Sequence, residues 1–186
     1  MREILFKAKR IDNGEWVEGD LIQTNYLGKI RGWISAKNDA TRLRVIATKY
    51  TDWRAVEVNT DTICQYTGLT DSTKWEELTK EEQSDFLSKW NSKEDRKNTV
   101  DDWKGRQIWE NDIVKKHFYT DYDAYANSEE YTGKVEYLDC AWNIVYTQNA
   151  HKCVSPIFMA IEFKDAKHYE VIGNIFDNPE LIGGGE

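Results

Sequence analysis

Apolar and polar positions alternate along the opening of the chain at the period of a β-strand. Ile4, Phe6, Ala8 and Arg10 interleave with Glu3, Leu5, Lys7 and Lys9, and the run ends at Asp12-Asn13-Gly14, residues that accept the left-handed backbone of a tight turn. Trp16-Val17 and Leu21-Ile22 follow, so the pattern predicts a β-hairpin. Further strands are expected over residues 30–34, 43–47, 54–58 and 63–67, the last ending at Gly68. Short strands at this spacing point to a small barrel or sandwich.

The period then changes. Thr73-x-x-Glu76 and Thr79-x-x-Glu82 have the capping-box spacing, in which a hydroxyl and a carboxylate satisfy the orphaned amides of a helix start. Trp75, Leu78, Phe86, Leu87 and Trp90 recur at helical spacing and predict one apolar stripe on a short helical hairpin, which gives way to a polar loop over 91–98. Strand pattern resumes over 106–116, 134–138, 142–146, 157–163 and 169–172, a second β unit. Its first two strands are separated by a polar, tyrosine-rich segment over 117–131, too long for a tight turn. Asn178-Pro179-Glu180 stands in helix-starting order, and the last residues, 183–186, are expected to be disordered.

One internal echo connects the two β units. Trp16-Val17-Glu18-Gly19-Asp20-Leu21-Ile22 and Ile108-Trp109-Glu110-Asn111-Asp112-Ile113-Val114 share an apolar-apolar-Glu-(Gly/Asn)-Asp-apolar-apolar pattern. Gly and Asn are the residues most tolerant of positive φ, so each segment is expected to make the same sharp turn into a strand, an entry common in SH3-like barrels. The fold class expected is therefore mainly β: two small β units with SH3-like barrel character plus a short helical insertion. The division is 1–71, 72–104 for the insertion and loop, 105–182, and the tail 183–186.

Composition narrows the classes of function. Hydrophobic residues make up 40% and charged residues 31%, with 8 Trp, 10 Tyr and 6 Phe available for cores, which is a globular composition. No apolar run approaches the roughly 20 residues that cross a bilayer, and Arg2 to Arg10 lacks the apolar core of a secretory signal, so the cytoplasm is expected. Cys64, Cys140 and Cys153, odd in number and widely spaced, read as reduced thiols acting as small core residues. The net charge of −8 is uneven: residues 1–70 hold 11 Lys+Arg against 9 Asp+Glu, and residues 105–186 hold 7 against 14.

Catalytic and cofactor chemistry has little to stand on. His117, His151 and His168 lie in no nucleophile-elbow or Cys-His protease context, and neither phosphate-binding glycine motif occurs. Cys64, Cys140, His151 and Cys153 lack the paired spacing of a structural zinc site. Asp121-Tyr122-Asp123 begins like a calcium loop, but Tyr125 and Ala126 occupy positions where an oxygen ligand and the turn glycine belong. Asp101-Asp102 and Glu129-Glu130 read as solvated pairs. No catalytic, cofactor or metal residue is assigned, and a non-enzyme is expected.

Arg2-Glu3-Ile4-Leu5-Phe6, Gly14-Glu15-Trp16-Val17-Glu18-Gly19-Asp20-Leu21, Gln65-Tyr66-Thr67-Gly68-Leu69-Thr70-Asp71, Ile108 to Val114, and Val171-Ile172-Gly173-Asn174-Ile175-Phe176-Asp177-Asn178-Pro179-Glu180-Leu181 together resemble the YopX family of phage and prophage proteins. The resemblance implies a mainly β fold with SH3-like barrel character, a phage origin and self-assembly, and implies no activity. Relatives pass from the Thr-Gly-Leu segment to the later strand through a tight turn, so residues 72–104 look like an addition, and Asn111 stands where glycine is usual. Gly68 and Gly173 are expected to serve turns, Asp20, Asp112 and Asn178 to brace them, and Trp16, Tyr66 and Trp109 to fill cores.

Two functions of different class are consistent with this reading. The first is a self-assembling protein-interaction module, a homo-oligomer with an unidentified protein partner, in which the oppositely charged ends meet across copies. The alternative is a nucleic-acid-binding module on the first β unit, where Lys7, Lys9, Arg10, Lys29, Arg31, Lys37, Arg42 and Arg44 lie among Tyr26 and Trp33.

Overall fold

A computed structural model describes residues 4–36, 55–91, 94–116, 131–148, 151–156 and 169–182. The strands expected over 43–47 and 157–163, the segment 117–130 and the tail 183–186 lie outside these residues. Thirteen strands and one α-helix make the described chain mainly β, and it divides into two compact units, residues 1–66 and 67–186.

The first unit forms as the alternation requires. β1 (Phe6–Lys9), β2 (Trp16–Tyr26), β3 (Lys29–Ala36) and β4 (Ala55–Val58) pair in sequence, and β5 (Cys64–Thr70) returns to the free side of β1. The expected hairpin is present: Gly14 lies at φ 74, and its N–H donates to the Arg10 carbonyl at 3.1 Å. Register sets Ala8 opposite Val17, Leu21 opposite Ile34, and Ile34 opposite Val56, so one face collects the apolar residues. Ala8, Ile34 and Val58 are the buried centre of that face, with Phe6, Val17, Leu21 and Ile63 packed around them. β1 also continues toward β4. Arg10 bridges Val58, and the Asn59 N–H donates to the Lys9 carbonyl at 2.8 Å. The sheet therefore curls so that its first strand reaches its fourth, a geometry compatible with barrel character.

The second unit contains α1 (Lys80–Ser88), the short pair β6 (Trp90–Asn91) and β7 (Arg96–Lys97), and β8 (Gln107–Trp109), which lies beside the second half of β5. Its main sheet is antiparallel, in the order β12 (His151–Pro156), β11 (Ala141–Gln148), β10 (Thr132–Leu138), β9 (Asp112–Lys116), β13 (Tyr169–Asn174). Ile108, Val114, Val135, Trp142, Ile144 and Tyr169 form the core. Close approach at one point explains Gly133: a Cβ there would stand 2.5 Å from Ile144 Cγ2 and 2.8 Å from the Val145 carbonyl oxygen.

Several local expectations are corrected. The expected helical hairpin is a 3-10 turn, Trp75–Glu77, followed by the single helix α1. Thr79 and Glu82 do form the capping box of α1, with the Thr79 N–H donating to Glu82 at 2.8 Å. The Thr73 box does not form, because Thr73 is taken by Asp71 and the first turn is closed one residue later by Lys74 and Glu77. Leu87 is exposed, off the apolar stripe. The two echo segments also differ. Asn111 at φ 65 makes the turn between β8 and β9, whereas Gly19 and Asp20 sit inside the unbroken strand β2, opposite Phe6 and Ser35. Pairing along both sides of β2 overrides the local tolerance of glycine for a turn.

Asp71 holds the second unit together. It is 4% exposed, and its carboxylate accepts four hydrogen bonds: Oδ1 from the Thr73 and Arg106 amides at 3.0 and 2.7 Å, Oδ2 from the Thr73 hydroxyl and the Val171 amide at 2.8 and 2.9 Å. Its own amide donates to the Arg106 carbonyl at 2.8 Å. Gly105, at φ 108, is required beside it, because a Cβ would stand 2.0 Å from the Asp71 carbonyl oxygen.

Asp71→Ala strands the Arg106 and Val171 amides in a site closed to water. The variant is expected to lose about 3 kcal/mol or more in urea unfolding, at one to three per unsatisfied buried group. Gly105→Ala, which leaves every side chain of the node in place, is expected to unfold at lower urea as well.

Candidate interaction surface

In the first unit, the sheet face opposite the apolar core carries charge and aromatic rings together. Lys7 and Lys9 project over the Trp16 ring at 5.1 and 5.5 Å, and the Arg31 guanidinium lies 5.2 Å from the Trp33 ring. Trp16 is thus half-buried beneath lysines and not in the core, a correction that follows from its register opposite Lys9. Arg31 also makes a two-pronged pair with Glu57, at 2.6 and 2.7 Å, and this partner holds the Glu57 carboxyl below the usual carboxylate range. Arg10 is paired in the same way with Asp12, at 2.9 and 2.6 Å. Of the cations singled out for nucleic acid, Lys37, Arg42 and Arg44 lie outside the described residues, as does the Tyr26 side chain.

Where β1, β3 and β4 come together an open groove of about 440 Å³ is lined by Lys9, Arg10, Ile11, Ile30, Arg31 and Glu57 among others. Ile11 and Ile30 are 62% and 60% exposed there. Ile30 belongs to the β2–β3 hairpin, whose tip is Leu27-Gly28 at φ 52 and 77. Positive φ at both central residues is the turn that matches strand twist, and it favours Asn-Gly. Leucine there costs roughly 1–2 kcal/mol of backbone strain, and at 87% exposure the side chain recovers nothing from packing within the chain. Leu27-Gly28 is not among the turns expected from the sequence. Its signal was a Gly preceded by an apolar residue between two strand patterns.

In the second unit the helical segment is anchored by aromatic and ionic contacts. Trp75, Phe86 and Trp103 meet edge to face, with ring centres 5.1 to 6.0 Å apart. The Trp103 indole N–H donates to the Thr73 carbonyl at 2.8 Å, and Arg106 pairs with Glu82 at 3.0 Å. Burial pushes the Glu82 carboxyl up, but the Thr79 amide and hydroxyl and the Arg106 guanidinium outweigh it and hold the group below its ordinary value. At the other end of the sheet, Asp112 accepts from the Trp109 amide at 2.8 Å and from the Asn174 side chain at 2.9 Å, so it braces the β8–β9 turn as expected. Asn178 precedes the 3-10 turn Pro179–Leu181 but makes no side-chain cap to it; its side chain accepts from the Asn174 amide at 3.4 Å.

Cys64 meets the expectation of a core thiol, and Cys140 does not. Cys64 is buried and Cys153 half-buried, but Cys140 is exposed in the two-residue β10–β11 turn at φ 62, because Asp139 and Cys140 are the turn itself. His117 and His168 lie outside the described residues, and of His151 only the backbone is described, in β12. Among the described residues, no three His, Cys, Asp or Glu side chains cluster to hold a metal ion, and no helix is long and apolar enough to cross a membrane.

The described chain is a segmented antiparallel β protein whose second unit carries the Asp112–Asn174 brace. The model of the YopX protein family matches residues 77–183, more than half of the chain, and the protein belongs to that family. The match begins inside the segment 72–104 read as an addition and leaves the first 76 residues outside it. No curated protein and no solved structure matches the chain.

The sign of the Glu82 shift sets a pH dependence. A carboxyl whose folded value is depressed contributes stability that is fully present above its ordinary value of 4.5 and is lost as pH falls through the folded value. Tryptophan fluorescence of the Trp75–Trp103 cluster is expected to report loosening of α1 below about pH 4.5, with a smaller acid-dependent change in Glu82→Gln, which has no such proton to gain.

Proposed function

We propose that this protein is a non-enzymatic, phage-encoded interaction module that self-associates through oppositely charged surfaces and engages a protein partner inside the bacterial host cell. One observation carries the reading: the segregation of charge follows the division into folding units. Residues 1–66 hold 11 Lys+Arg against 9 Asp+Glu, a net +2, and residues 67–186 hold 14 against 24, a net −10. Bodies of opposite sign on one chain attract across copies and disfavour like-to-like pairing. Such head-to-tail contacts close into rings where the rotation permits. The phage origin rests on the family resemblance of the sequence.

A second reading, nucleic-acid binding by the first unit, is favoured by the gathering of Lys7, Lys9, Trp16, Arg31 and Trp33 on one sheet face. Stacking of bases needs open rings, and here cations already lie over both rings while Arg31 is neutralised by Glu57. These features support the protein partner.

Sedimentation equilibrium of the full chain is expected to show an oligomer whose association weakens with added salt, since exposed charges are screened over about 8 Å at physiological ionic strength. A monomer at every concentration and salt would overturn self-association. A gel shift by the full chain that is steep in salt would favour the nucleic-acid reading instead.

A further inference from the structure

We propose that the groove between Ile11 and Ile30, together with the Leu27 tip, is the socket for the segment Asp177 to Ile182 of a second copy. The inference rests on the self-association proposed above and names its contact surfaces.

The first unit supplies an apolar floor rimmed by cations. Ile11 and Ile30 are exposed in a groove that Lys9, Arg10 and Arg31 also line; Arg31 pairs with Glu57 and Arg10 with Asp12, which leaves the rim with one positive charge in excess. Leu27 stands beyond it at the end of the same hairpin, held at φ 52 and almost wholly in water. An apolar residue kept in a strained backbone position with no packing of its own marks a contact made elsewhere, since strain persists where function over-determines it.

The matching surface must offer apolar anchors flanked by carboxylates, and the acidic second unit has such a segment. Leu181 and Ile182 are exposed, and Asp177 and Glu180 are exposed on the same turn. The segment is rigid. The Asp177 and Asn178 amides donate to the Asn174 carbonyl at 3.1 and 2.8 Å, and the Leu181 amide donates to the Asn178 carbonyl at 3.1 Å. A preformed turn avoids the ordering cost that a loose peptide would meet on binding. Tyr137, the other large exposed apolar residue among the described residues of this unit's sheet, already packs edge-on against Trp142 with ring centres 4.9 Å apart, so it is a weaker anchor. A contact between two different surfaces is heterologous, so each copy offers one socket and one plug.

The test uses full-length chains. A socket variant, Leu27→Asn with Ile30→Thr, replaces a strained leucine by the residue best suited to positive φ, so its Tm should hold or rise while self-association weakens about tenfold or more. A plug variant, Glu180→Lys with Ile182→Lys, should weaken association comparably with its Tm preserved. Each variant alone is then expected to sediment as a monomer where the wild type is assembled. Mixed one to one, they regain a single intact interface and should form a dimer that stops there. An assembled wild type whose assembly neither variant disturbs would overturn the socket while leaving self-association standing. Disruption by one variant alone, or a mixture that stays monomeric, would overturn the pairing of these two surfaces. A wild type that is monomeric throughout would remove the self-association reading itself.

Discussion

A buried carboxylate must find donors, because leaving a charge unpaired away from water costs more than any single contact recovers. Asp71 meets that demand with a hydroxyl and three backbone amides drawn from residues 73, 106 and 171. The demand is geometric as well as energetic: four donors around two oxygens fix where three distant segments lie. Much of the second unit follows from this point. Gly105 is needed so that the chain can approach the Asp71 carbonyl, Arg106 is placed with its guanidinium toward Glu82, and Ser72 donates to the Tyr169 carbonyl at the edge of the main sheet. The helical segment is therefore joined to the second unit at its base by the same residue that joins β5, β8 and β13. Its aromatic trio adds area to an attachment that hydrogen bonds have already positioned.

The same economy of buried polar groups appears at Asp112 and Asn174, both nearly inaccessible and bonded to each other. Asp71, Asp112 and Asn174 each close a turn or join strands, whereas the Tyr131 hydroxyl and the Trp142 indole N–H are buried without a hydrogen-bond partner among the described residues. Surfaces, by contrast, are where the molecule departs from local preference. Leu27 occupies a backbone conformation that suits asparagine, and isoleucines line an open groove. Conflict between local preference and observed structure concentrates at functional positions, and here it appears at Leu27 of the positively charged unit and at Cys140 of the acidic one. Charge segregation and exposed apolar residues are the two independent grounds of the proposed interaction role.

The periodic pattern along the chain determined a great deal. Alternation at Ile4 to Arg10 and the Asn13-Gly14 turn specified the first hairpin, because a strand with one buried face admits only one register. Thr79-x-x-Glu82 specified the start of α1, since both partners of a capping box lie within one turn. The mainly β class and the family followed from motifs of the same local kind. Tertiary structure alone decided the fate of the matching motifs. Gly19-Asp20 and Asn111-Asp112 are near twins in sequence, yet the first pair runs through the middle of a strand bonded on both sides and the second makes a turn. Thr73 lost its helix cap to Asp71, whose other partners lie up to 100 residues away. Cys140, expected in a core, became a turn, and Trp16 went to the charged face by the register of its strand. The physical reason is common to all four: capping, turning and alternation act over a few residues and can be read locally, whereas pairing partners and burial are set by segments that meet only when the chain has folded.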